Sequence, residues 1–193
     1  MATAFSRTIR GRFTAQTEPA ERAVLLQLLD EMCAMLDADA LADETATDPL
    51  ARELGLADFS GVDVETPADP VLRRLLPDAY SGDEEASREF RRLTDGSLRQ
   101  GKVSDARRMS ESLRGADSNP KGKISLTRDD AQAWCRAIND LRLALGTRLK
   151  VSADHYPDPT ELDDNDPEKI QAAVYDFLTW WQDSLVRAMM PTI

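Results

Sequence analysis

Between Thr127 and Leu149 one stretch constrains the fold more than any other. Ala131, Trp134, Ile138, Leu141, Leu145 and Leu149 recur at three- and four-residue intervals, the spacing that lines one face of an α-helix. Thr127, with Asp130 three residues on, has the form of a capping pair at its start. An apolar face this long must be buried against other elements, so the rest of the chain has to supply them.

Most of that supply reads as helical. After Glu18-Pro19, the residues Leu25, Leu28, Leu29, Met32 and Leu36 keep helical spacing to about Asp37. Asp69-Pro70 is a cap and first-turn pair for a brief helix through Val71, Leu72, Leu75 and Leu76, which Pro77 stops. From Glu84 to Arg114 the sequence predicts two helices broken at Asp95-Gly96-Ser97, because glycine costs about 1 kcal/mol against alanine in a helix interior and Ser97 can cap. Pro167 opens a final helix whose buried face is Val174, Phe177, Leu178, Trp181 and Leu185.

Strand signals are few. Ala4 to Gln16 is short and β-branched, and Gly11 lies between Ile9 and Phe13 where a tight turn fits, which predicts a small hairpin. Lys121 to Leu126 reads as one short strand entered by a turn at Asn119-Pro120. The expected fold class is mainly α: a helical bundle with a small N-terminal β-hairpin and one short additional strand, in a single domain over 1–193. Two acidic loops interrupt it, at 38–69 and 154–168, the second carrying seven acidic groups and three prolines between Asp154 and Glu168.

Charge narrows the class of partner. Asp and Glu number 35 against 24 Lys and Arg, a net −11, so the whole molecule is repelled by nucleic acid and anionic membranes. With 41% hydrophobic and 31% charged residues the composition fits a soluble globule. No run approaches the ~20 apolar residues that span a bilayer, and Arg7, Arg10 and Arg12 have no apolar segment behind them, so the expected compartment is the cytoplasm.

The charge is uneven. Between Arg88 and Arg128 there are eleven bases and five acids, a local +6 against −17 for the remainder. Arg88, Arg91, Arg92, Arg99, Arg107 and Arg108 are therefore candidate partner-binding residues. The segment's helix, strand, helix order also permits a DNA-contacting regulator of winged-helix type. The simpler reading is a basic face paired internally with the acidic loops. Trp180 and Trp181 point about 100° apart on a helix. Trp181 falls on the stripe, and Trp180 falls at its flank as a further partner-binding candidate.

Catalytic constellations are missing from the sequence. His155 is the lone histidine, set in an acidic, proline-broken loop, and no phosphate-binding glycine motif or HExxH pattern occurs. The expectation is no enzyme activity, no cofactor and no metal; Asp163-Asp164-Asn165-Asp166 does not fit the register of a calcium loop. Cys33 and Cys135 are the redox candidates. Each falls on a helical apolar stripe, which predicts core or core-edge thiols and no disulfide between them.

Three segments are distinctive together: Asp69 to Tyr80 (DPVLRRLLPDAY), Glu89 to Thr94 (EFRRLT) and Ala137 to Leu149 (AINDLRLALGTRL). They resemble the actinobacterial AosR-like family, long catalogued as a domain of unknown function and associated with oxidative-stress transcriptional regulation. The resemblance extends over nearly the whole chain, to Val174-Tyr175-Asp176-Phe177-Leu178 and Leu185-Val186. It implies a non-enzymatic cytoplasmic regulator acting through the transcription machinery, with a sigma factor or RNA polymerase as partner. It also implies a pair of sensing cysteines separated by three residues, and neither Cys33 nor Cys135 has such a neighbour. This chain either senses differently or shares the scaffold and not the switch. Three functional readings follow: a protein-binding regulator, a DNA-contacting regulator using 88–128, and an unrecognised enzyme. Self-association into a homodimer stays open.

Overall fold

The computed structural model describes residues 1–44, 65–80, 82–117, 122–156, 163 and 166–190. Among them the fold is mainly α. Five helices, α1 (Pro19–Glu44), α2 (Pro70–Leu75), α3 (Glu84–Asp117), α4 (Arg128–Arg148) and α5 (Pro167–Met189), pack with three short strands, β1 (Ser6–Arg7), β2 (Phe13–Gln16) and β3 (Lys123–Leu126).

α4 is the centre. Thr127 and Asp130 form the full capping box: the Thr127 hydroxyl accepts from the Asp130 amide at 3.1 Å and the Asp130 carboxylate accepts from the Thr127 amide. α4 then touches α1, α2, α3, α5 and β3, and all six residues of its stripe are buried. The start of α2 also follows its sequence signal, with Asp69 accepting from the Val71 amide at 2.7 Å. Where α5 passes α4, Trp134 and Trp181 meet edge to face at 5.3 Å, and Phe5 closes the cluster against both.

The hairpin forms with Gly11 at φ +74°, and β3 adds antiparallel to β2, giving one sheet in the order β1-β2-β3 with Phe13 opposite Leu126 and Gln16 opposite Lys123. Phe13, Ala15, Ile124 and Leu126 point into the core and the alternate positions face out. Gly122 fixes the joint between β3 and the start of α1. Its φ is +56°, and a Cβ there would lie 2.1 Å from the Thr17 carbonyl oxygen and 2.4 Å from Arg22 Nη1.

The main departure from the sequence reading is α3, one unbroken helix of 34 residues where two were expected. Asp95 does not cap a break; it is buried and bridges Arg91 and Arg99, one turn to either side. Ser97 bonds back to the Thr94 carbonyl at 2.9 Å inside the helix, and Gly96 is tolerated on the exposed side. α1 also runs past Asp37 to Glu44: nothing between Ala38 and Glu44 breaks a helix, and Pro49 is the first proline beyond them. Of the first acidic loop, 45–64 lie outside the described residues, as does the Asn119-Pro120 turn. Of the second, Asp154, His155 and Tyr156 are exposed, and Asp166 caps α5 through the Glu168 amide at 2.8 Å.

Candidate functional site

A groove of about 560 Å³ lies over α4 between α3 and α5, with Leu98, Gly101, Lys102 and Asp105 of α3 on one wall, Gln182 of α5 on the other, and Cys135, Arg136, Asn139 and Asp140 of α4 in its lining. The helical repeat explains the placement. Asp140 sits three residues after buried Ala137, so it turns inward, while Arg136 and Asn139 turn toward solvent.

Its charges are matched in pairs. Lys102 Nζ donates to Asp140 at 2.7 Å, both side chains largely buried. Burial pushes the Asp140 carboxyl up, against the pull of Lys102. Arg136 donates two parallel bonds to Asp105, at 2.6 and 2.8 Å. Behind the wall Arg142 lies 5.5 Å from the centre of the Tyr175 ring and donates to Thr179 and Gln182, and Gln182 Nε2 donates to the Cys135 carbonyl at 2.9 Å. Tyr156, edge-on to Tyr175, donates to Asp176; burial first and that carboxylate second push its hydroxyl up to about 12.

Cys135 is half-buried at this groove, its Sγ 3.8 Å from the Met189 sulfur. Burial pushes its thiol up, with Arg136 opposing weakly. Cys33 is half-buried on α1, where burial again raises the thiol and Arg107 opposes. Both are core-edge thiols and both are free, so the structure does not join the two redox candidates. A thiol held above its ordinary value is mostly protonated at neutral pH and reacts slowly.

The arginine candidates separate into two groups. Arg91 and Arg99 are structural: both are buried, Arg91 pairs with Asp78 and Asp95 and donates to the Leu76 carbonyl at 3.3 Å, and Arg99 pairs with Asp95 and donates to the Leu36 carbonyl at 3.2 Å. Arg92, Arg107 and Arg108 face solvent beside Glu89, Asp37 and Asp130, at 2.8, 3.5 and 3.5 Å. Arg88 is exposed on the first turns of α3. Among the described residues internal pairing is thus observed, with acids of α1, α3, α4 and the turn after α2; most of the two acidic loops lies outside the described residues. Trp180 is 43% exposed against Phe177, while Trp181 is fully buried. Sequence reasoning missed the Lys102–Asp140 pair. Its signal was an acidic residue falling inside an otherwise apolar stripe.

Among the described residues no group of three or more His, Cys, Asp or Glu side chains could hold a metal ion, and no helix is long and apolar enough to cross a membrane.

Residues 2–189 match a family profile described as "Domain of unknown function (DUF2017)". The "Oxidative stress regulator AosR" of Mycobacterium tuberculosis is 32% identical over 189 residues, covering 93% of this chain and 83% of that protein, and its Mycobacterium bovis counterpart aligns with the same identity and coverage. No solved structure matches.

Proposed function

The chain belongs to the DUF2017 family, and from that membership we propose that it is a cytoplasmic regulator of the response to oxidants that works without catalysis, by binding a protein of the transcription machinery, a sigma factor or RNA polymerase. The observation that carries this reading is the oxidative stress regulator name borne by relatives that align with 93% of the chain. Placement of the arginines favours protein binding over DNA contact: Arg91 and Arg99 are committed inside the fold, and Arg92, Arg107 and Arg108 each lie beside a carboxylate. Trp180, exposed at the flank of α5, supports a partner contact of the kind tryptophan anchors.

Co-purification tests the proposal. Tagged protein from oxidant-stressed cells should recover a sigma factor or RNA polymerase, and the yield should differ in unstressed cells; recovery of neither above background removes the reading's main support. DNA contact gives a different result, micromolar binding to promoter-length duplex that falls steeply with salt as counterions are released.

A further inference from the structure

The outward face of α3 changes character along its length. Opposite the buried side, Phe90 and Leu93 stand 44% and 50% exposed. Farther along the same stripe the side chains shrink to Ser97, Gly101 and Ser104, which line a trough of about 620 Å³. Residues 90, 93, 97, 101 and 104 share one side of the helix by their spacing. Charge is mixed at both ends: Glu85 and Glu89 flank the bulky end with Arg88 and Arg92, the last already paired to Glu89, and Arg107 and Arg108 flank the shallow end with Glu111. Arg107 and Arg108 are 66% and 47% exposed, and their nearest carboxylates lie 3.5 Å away, which leaves room for a second acidic neighbour.

We infer that this face is the contact surface of a homodimer in which two copies of α3 pack antiparallel across a two-fold axis at Ser97. Such an axis sends each position as far beyond Ser97 on the partner as it lies before it. Leu93 then rests over Gly101, Phe90 over Ser104, and Ser97 over its own copy. Glu85 and Glu89 come beside Arg107 and Arg108, while Glu111 comes opposite Asp83. Bulk meets hollow in this register and Glu89 meets Arg107, twice over by symmetry. A chain of net charge −11 repels its copy, so the arrangement depends on the apolar fit of Phe90 and Leu93 with the Glu89–Arg107 contact beside it.

Gly101 gives the deciding experiment, because a Cβ added there meets nothing within 4 Å. Gly101→Leu should leave the fold of one chain intact while filling the space Leu93 would occupy. Sedimentation across roughly 1 to 100 µM, the range of modest interfaces, should show the intact protein reaching twice its 21.4 kDa chain mass. Gly101→Leu should weaken association tenfold or more with unchanged circular dichroism. Ser97→Cys should form a covalent dimer with the thiol oxidant diamide, while Thr8→Cys in the hairpin and the parent protein should not. As a second arm, Glu89→Arg should weaken the dimer and adding Arg107→Glu should restore it. A parent protein that stays monomeric over that range overturns the inference. So does a dimer indifferent to Gly101→Leu, or one that Ser97→Cys does not cross-link.

Discussion

The two halves of α3 bury opposite chemistries. From Ser87 to Arg99 the inward positions are Ser87, Arg91, Asp95 and Arg99; from Val103 onward they are Val103, Ala106, Met109, Leu113 and Ala116, with Ser110 the one polar exception. The apolar half supplies cohesion, about 1.5–3 kcal/mol for each large side chain removed from water. The ionic half gains little net stability, since two desolvated charges roughly cancel their attraction. What it supplies is position. Arg91 reaches the carbonyl of Leu76 just past α2 and Arg99 the carbonyl of Leu36 inside α1, so one ladder of ions sets where two other helices lie against α3. A long helix can be held down by cohesion at one end and by directional bonds at the other.

Five variants would break or sharpen this contrast. The largest effect belongs to Asp95→Ala, which removes the carboxylate shared by two buried guanidiniums and should cost about 3–5 kcal/mol in denaturant unfolding. Replacing Arg91, Asp95 and Arg99 together by apolar residues of similar size should cost far less than Asp95→Ala alone, and an equal loss would show that the ladder carries net stability after all. In the apolar half, Leu113→Ala should cost about 3 kcal/mol through lost transfer energy and a cavity. A loss under about 1 kcal/mol there would erase the distinction between the halves.

Asp130→Ala on α4 serves as the reference outside both halves and should cost about 1 kcal/mol at pH 7. The hydrogen bond from the Thr127 hydroxyl holds the Asp130 carboxyl below its ordinary value of 3.8, with the Thr127 amide and Arg108 adding to it. The stability it contributes is therefore complete above that ordinary value and vanishes as pH falls through the lowered one. Parent and variant unfolding curves should converge in acid, and a gap independent of pH would contradict this account. Smallest is Gly96→Ala in the ionic half, which should stabilise by up to about 1 kcal/mol because the site is helical and exposed.

Gly96 also marks where the sequence stopped being legible. The α4 stripe, its Thr127 cap and the Asp69-Pro70 start of α2 depend on neighbours within one turn, and each reads directly from the chain. A break at Asp95-Gly96-Ser97 follows from the same local logic, but the Asp95 carboxylate answers to Arg91 and Arg99 within a ladder tied to Leu36, a partner of Arg99 63 residues away. The groove was hidden for the same reason, since Lys102 and Asp140 stand 38 positions apart and Cys135 and Gln182 stand 47. Trp180 and Trp181 could be told apart because adjacent residues on a helix must diverge, whatever surrounds them. The identity of the partners for the arginines required three dimensions.

The cluster of Phe5 with Trp134 and Trp181 sets a timetable as well as a core. The Phe5 amide donates to Ser184 Oγ across 179 positions, and Trp181 Nε1 donates to the Thr3 carbonyl across 178. At a ribosomal rate of about 5–20 residues per second, the earliest residues wait roughly 10 to 35 s for the last helix. Through that interval the hairpin lacks the part of its cover that α5 supplies, and chaperones have access to it. Slowing translation anywhere between the hairpin and α5 should lengthen that exposure by the time it adds.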